Sequence, residues 1–121
     1  MSGAGGRNRD ANDLDLLPAS LASRSISRTE IVLPRAEALL AIDALEAKGV
    51  RVFGIETLIR DEKGRVGHPP LVLGTGDLDE LTLAGAASVS RRAIEEDATE
   101  WESGRSAAKG EILFCITVAR P

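Results

Sequence analysis

The chain has 121 residues and a formal net charge of −4; 43% of its residues are apolar, but only 2% are aromatic and none is tyrosine. That length suits one domain rather than two. The negative balance argues against nucleic acid as a partner, and a lone cysteine, Cys115, rules out an internal disulfide or a cysteine-based metal cluster. There is no charged-then-apolar N-terminal signal, and no apolar run approaches the ~20 residues needed to span a bilayer, so a cytoplasmic protein is expected. The core must be built from Leu, Ile, Val and Ala, with Phe53, Phe114 and Trp101 as its few large pieces.

Residues 1–27 read as a disordered or loosely docked tail. Gly3, Gly5 and Gly6, then Asn8, Asp10, Asn12 and Asp13, leave little to pack. Leu14, Leu16, Leu17 and Leu21 have the makings of a docking turn, interrupted by Pro18. Arg7, Arg9 and Arg24 cancel Asp10, Asp13 and Asp15, so the net charge belongs to residues 28–121, which are expected to form the domain. A short strand is expected at 31–33. Pro34 follows as a first-turn residue of a helix over 34–48, in which Leu39, Ile42 and Leu45 form the apolar stripe and Gly49 the stop.

Residues 50–60 are expected to form a strand with Phe53, Ile55 and Ile59 on one face and Val50, Val52, Glu56 and Leu58 on the other. Residues 61–64 (Asp-Glu-Lys-Gly) make a turn, and 65–68 a short return strand that Pro69 and Pro70 confine to an edge. Another short strand is expected at 71–73, then a loop to Leu81, with Thr82 as N-cap of a helix over 83–103. Ala86, Val89, Ala93, Ile94 and Trp101 mark its apolar half, and Asp97 projects into that half, where a purely structural helix would avoid a charge. A polar connection over 104–110 leads to the most strand-like run, 111–118. There Ile112, Phe114, Ile116 and Val118 alternate onto one face while Leu113 and Cys115 keep the other apolar, so this strand is expected to be central and covered on both sides. The order β-α-β-β-α-β predicts an α+β domain: a small, mostly antiparallel sheet with two helices on one face, and an opposite face only partly protected and open to a partner.

Chemistry is less well marked. His68 is the only histidine, and Asp61, Asp77 and Asp79 flank it, but no two of these have helix-face spacing, so no metal is expected and the histidine is read as tying a turn to the backbone. Gly74-Thr-Gly-Asp77 lacks the glycine pattern and lysine of a phosphate loop. Cys115 in so apolar a strand reads as core rather than nucleophile. Glu56 is either a catalytic carboxylate whose pKa an apolar setting would raise or, as favoured, a residue that lies on an exposed sheet face or pairs with an arginine such as Arg51, Arg60 or Arg65. The run Glu95-Glu-Asp97, with Glu100 and Glu102, contains no base; it is either a solvated helix face or an electrostatic docking surface for a basic partner.

The series Leu33-Pro-Arg-Ala-Glu37, the helix into Lys48-Gly-Val50, then Asp61-Glu-Lys-Gly-Arg-Val-Gly-His68, Trp101 and Glu111-Ile-Leu-Phe-Cys-Ile-Thr117 resembles a family of small bacterial immunity proteins from polymorphic toxin systems. The likeness covers residues 28–118, is most specific at Gly64-Arg65-Val66-Gly67-His68 and Leu113-Phe114-Cys115-Ile116, and departs at Glu56-Thr-Leu58, where a larger aromatic is expected. It implies a protein that is not an enzyme and takes no cofactor, and that docks on a basic toxin, often a nuclease, and covers its active site. The partner-binding candidates are then Glu95, Glu96, Glu100 and Glu102 on the helix, and Glu56, Arg65 and His68 by the sheet. The rival readings are a small hydrolase or transferase using Glu56, His68 and Asp77, and an interaction module without a toxin. A convergent pocket holding Glu56 and His68 favours the enzyme; a broad acidic face without a pocket favours the binder.

Overall fold

The computed structural model describes residues 12–69, 73–104 and 109–119. Four antiparallel strands form one sheet in the order β1-β4-β2-β3: β1 is Ile31–Leu33, β2 Val52–Arg60, β3 Val66–Gly67 and β4 Glu111–Val118. The most strand-like run, apolar on both faces, is central, as expected, with β1 on one side and β2 on the other. Three helices complete the domain: a single turn, α1 (Ala19–Ala22), then α2 (Arg35–Ala47) and α3 (Leu83–Glu102). Pro34 precedes α2 as its N-cap, and the Thr82 hydroxyl accepts the Gly85 N–H at 3.0 Å to cap α3.

Both long helices cover one face of the sheet. Ile31 and Leu33 of β1, Val52, Ile55 and Ile59 of β2, and Ile112, Phe114, Ile116 and Val118 of β4 form one core with Ala38, Ala41, Ile42 and Leu45 of α2 and with Ala86, Ala87, Ile94 and Ala98 of α3. The facing positions of α3 are mostly alanine, so this helix lies close on β2 and β4, and Phe114, fully buried, fills the middle. Burial of such a ring is worth about 1.5–3 kcal/mol. The one hydroxyl on that side of α3, Ser90, is also fully buried and donates to the Ala86 carbonyl at 2.7 Å, so it costs no unsatisfied group.

The phase of β2 differs from expectation. Val52 opposes Val118 and Gly54 opposes Thr117, so Phe53 is the extra residue of a β-bulge. The bulge shifts the alternation by one. Val52 joins Ile55, Thr57 and Ile59 on the core face, and Phe53, assigned there by simple alternation, is turned outward with 37% of its surface exposed.

The opposite face carries a smaller buried cluster of Val32, Leu113 and Cys115, with Leu58 packed against it. It is apolar at its centre, which explains why β4 reads as covered on both sides. Before β1, the chain from residue 12 onward packs on the domain. Asn12 caps a 3-10 turn at Asp13–Leu16, Leu17 is buried in the main core, and Leu14, Leu16, Leu21 and Ala22 lie against it. Pro18 ends that turn and begins α1, its carbonyl accepting from Ala22. Ser25 then seals the outer edge of β1: its hydroxyl donates to the Glu30 carbonyl at 2.7 Å and accepts the Val32 N–H at 3.0 Å, while the Ile26 N–H reaches the Val32 carbonyl. Of the strand expected at 71–73, residues 71 and 72 lie outside the described residues and Leu73 is not in a strand.

Candidate functional site

The exposed half of the outer sheet face is the strongest candidate. Three local features build it. The bulge presents Phe53; Glu56 follows on the same face, opposite Cys115 of β4; and the segment 74–78 returns along the free edge of β2. That return is held by backbone: Thr75 N–H donates to the Ile55 carbonyl and Leu78 N–H to the Phe53 carbonyl, both at 2.9 Å, while the Thr75 hydroxyl accepts the Ile55 N–H at 2.9 Å. Gly74 is required at its start. Its φ is +100°, and a Cβ there would lie 2.7 Å from the Ile55 carbonyl oxygen. Phe53, Gly54, Ile55, Glu56, Thr75, Gly76, Asp77 and Thr117 thereby line a shallow, open cleft of about 290 Å³.

Asp97 explains why the return segment stays in place. This carboxylate, buried on the sheet-facing side of α3, accepts the Thr57 hydroxyl at 2.8 Å and the Gly74 N–H at 2.7 Å, both on Oδ2. It joins α3, β2 and the cleft wall at one atom. Burial raises its pKa above the ordinary carboxylate value; the Thr57 and Gly74 bonds oppose that rise and the nearby Glu96 charge adds to it. The charge that looks misplaced on an apolar helix face is therefore a fastening.

The residues singled out from sequence fall into separate places. Glu56 meets His68, Oε2 to Nε2 at 3.6 Å, with side chains 55% and 71% exposed. It lies on an exposed sheet face, one of the two favoured alternatives, and the other, an arginine partner, is not taken up: Arg51 pairs with Asp79 at 3.1 Å, Arg60 with Glu111 at 2.5 Å and Arg65 with Asp61 at 2.8 Å. Arg65 is thus committed to its own turn, where the Asp61 carboxylate also accepts the Arg65 and Lys63 N–H groups; these bonds, Arg65's backbone N–H foremost, lower the Asp61 pKa. Asp77 lines the cleft and accepts the Asp79 N–H at 2.7 Å, but His68 is not among the lining residues. Among the described residues no three His, Cys, Asp or Glu side chains converge as a metal site.

On α3 the acidic residues are not left to themselves. Arg35, at the start of α2, reaches Glu95 at 2.5 Å and Glu102 at 3.4 Å, and Arg91 binds Asp43 and Glu46 across the same helix pair. The negative run in the sequence is a partly neutralised seam in space; Glu96 remains exposed beside it. Cys115 is buried, with its Sγ 4.0 Å from Glu30 Oε2. Burial first, then the charges of Glu30, Glu56 and Asp13, push its thiol up to about 11, the opposite of a nucleophile's environment.

Sequence reasoning missed Phe53 as a surface residue and Arg35 as a member of the acidic seam. A Phe-Gly pair at a strand's start was the one available signal of a bulge. Among the described residues no helix is long and apolar enough to cross a membrane. Comparison with known protein families, with curated proteins and with solved structures finds no match.

Proposed function

We propose that this protein is an immunity-type binding module that acts in the cytoplasm, docking on a basic protein toxin and occluding it without chemistry of its own. The observation that supports this reading best is the allocation of Phe53. The chain has only two phenylalanines and one tryptophan, and one of these three is displaced by a bulge into solvent, beside the exposed Glu56 and the loop carboxylate Asp77. An exposed aromatic ringed by charge is the composition of an interface centre, where aromatic anchors carry most of the binding energy. The net charge of −4 adds the long-range attraction to a basic partner that speeds encounter. On this reading the sheet face around Phe53, Glu56 and His68 is the principal contact. The helix face at Glu95, Glu96, Glu100 and Glu102 is subsidiary because Arg35 already occupies two of its carboxylates.

One observation favours the rival hydrolase or transferase: Glu56 and Asp77 share a cleft. Against it, Glu56 and His68 are more than half exposed, and His68 is not among the residues lining that cleft. The test is co-expression with the protein encoded next to it, scored for growth. Rescue together with a stable complex on gel filtration is expected for the wild type, and loss of both for Phe53→Ala with Glu56→Lys. Full rescue by that double variant would remove the sheet face from the mechanism; toxicity unrelieved by the wild type would remove the immunity reading.

A further inference from the structure

The cleft beside the bulge has the chemistry of a socket for one particular side chain. We infer that it receives an arginine presented by the basic protein partner, with the guanidinium held between the Phe53 ring and the carboxylates of Glu56 and Asp77. This deepens the binding reading above and rests on it.

Three observations carry it. The first is size. At about 290 Å³ the cleft lies just below the roughly 300–1,000 Å³ typical of small-molecule pockets, yet has room for one long side chain. The second is the lining, which is mostly apolar and combines the aromatic Phe53 with two acidic residues, Glu56 and Asp77. Arginine matches that combination: its alkyl stem suits an apolar wall, its planar head stacks on a ring, and its fork of N–H groups meets carboxylate oxygens. The third is charge. Among the described residues no cation lines it. The nearby guanidinia are committed elsewhere, Arg51 to Asp79 and the Leu78 carbonyl, and Arg60 to Glu111. Among the described residues His68 is the basic partner of Glu56, and it is not part of the lining. The wall is also fixed in advance, because the Thr75 and Leu78 bonds to β2 and the Asp97 fastening at Gly74 hold the return segment before anything binds. A socket ordered beforehand loses little entropy on occupation.

The test titrates the full chain, isotope-labelled for amide NMR, with the capped tripeptide acetyl-Gly-Arg-Gly-amide and with its uncharged citrulline counterpart. The arginine peptide should produce saturable shifts confined to the amides of Gly54, Glu56, Thr75, Gly76, Asp77 and Thr117; these should weaken with added salt and be missing with citrulline. Glu56→Gln and Asp77→Asn should each weaken binding by roughly fivefold, the size of one partly exposed ion pair. Phe53→Leu, which keeps the apolar wall but removes the ring face, should weaken it too. Asp77→Asn retains the oxygen that accepts the Asp79 N–H, and unchanged amides elsewhere in the spectrum verify that each variant is folded. Three results overturn the inference: no saturable shift, equal shifts with citrulline, or shifts centred on Glu95 and Glu96. Growth rescue without peptide shifts would sink the socket and leave the immunity reading standing. Peptide shifts without rescue would do the reverse.

Discussion

On the helix-covered face of the sheet Phe114 is wholly removed from water; on the other face, on the neighbouring strand, Phe53 is turned out into it. One carboxylate on each side shows the same division. Asp97, on the covered side, spends its charge on two internal donors, whereas Glu56, on the open side, has one exposed histidine beside it. On the covered side the buried Thr57, Ser90 and Asp97 side chains are paired internally, and the other side leaves an aromatic ring and acceptors available. Such a division is expected where folding is served by one side of a sheet and recognition by the other, and one inserted residue in β2 creates it.

Truncating the two rings should give the widest separation. Phe114→Ala leaves a cavity under both helices and should cost about 3–5 kcal/mol, with the milder Phe114→Leu retaining a measurable folded state. Phe53→Ala should change stability by less than about 1 kcal/mol. Chemical denaturation measures both, and equal losses would show that the bulged ring is structural after all.

The carboxylates provide the second contrast. Asp97→Ala orphans the Thr57 hydroxyl and the Gly74 N–H and should cost roughly 2 kcal/mol. Asp97→Asn keeps an acceptor oxygen and should be milder, with a pH signature. Because the folded-state pKa of Asp97 is raised, its contribution to stability is fully present below the unfolded value of about 3.9 and is lost as pH rises through the folded value. Asparagine does not titrate, so the variant should gain on the parent across that window and hold the gain above it. Melting curves taken from acid to neutral pH decide this; a gap that stays constant, or moves the other way, refutes the assignment.

The smallest effect belongs to the seam between α2 and α3. Arg35→Ala should cost no more than ~1 kcal/mol, since Glu95 and Glu102 are partly exposed ion-pair partners. If the acidic helix contributes to steering, the same variant should associate faster with a basic partner at low salt, by stopped-flow, and this advantage should fade as salt is added. A slower or unchanged rate at low salt would confine recognition to the sheet. Reversing Glu95 and Glu102 to lysine is the poorer probe, because it sets new cations against Arg35; glutamine at both positions avoids that.

Much of the framework was legible because it depends on periodicity. Apolar residues on both faces of 111–118 marked the central strand, Leu39, Ile42 and Leu45 marked the buried side of α2, and Thr82 marked a cap that the structure shows. The site was less legible, for two physical reasons. A bulge adds a residue without disturbing composition, so strict alternation put Phe53 on the wrong side. Ion pairs across packed helices join residues 60 and 67 positions apart, as Arg35 does with Glu95 and Glu102, and no local pattern encodes that spacing. Asp97 lay between these cases: its misfit on an apolar helix face could be read from sequence, but its two donors, 40 and 23 residues distant, could not.

The hydroxyl of Ser25 has a consequence for how the protein behaves in bulk. A sheet with open rims invites copies of itself to stack strand against strand, the first step toward fibres. Here one rim is closed by a single oxygen and the Ile26 amide, both engaged with Val32. The other rim is only two residues long at β3, with Pro69 soon after, and beyond it the Thr75–Leu78 segment occupies the remainder of β2. With one rim closed and the other cut to two residues, the sheet offers little unpaired strand on which a second copy could build.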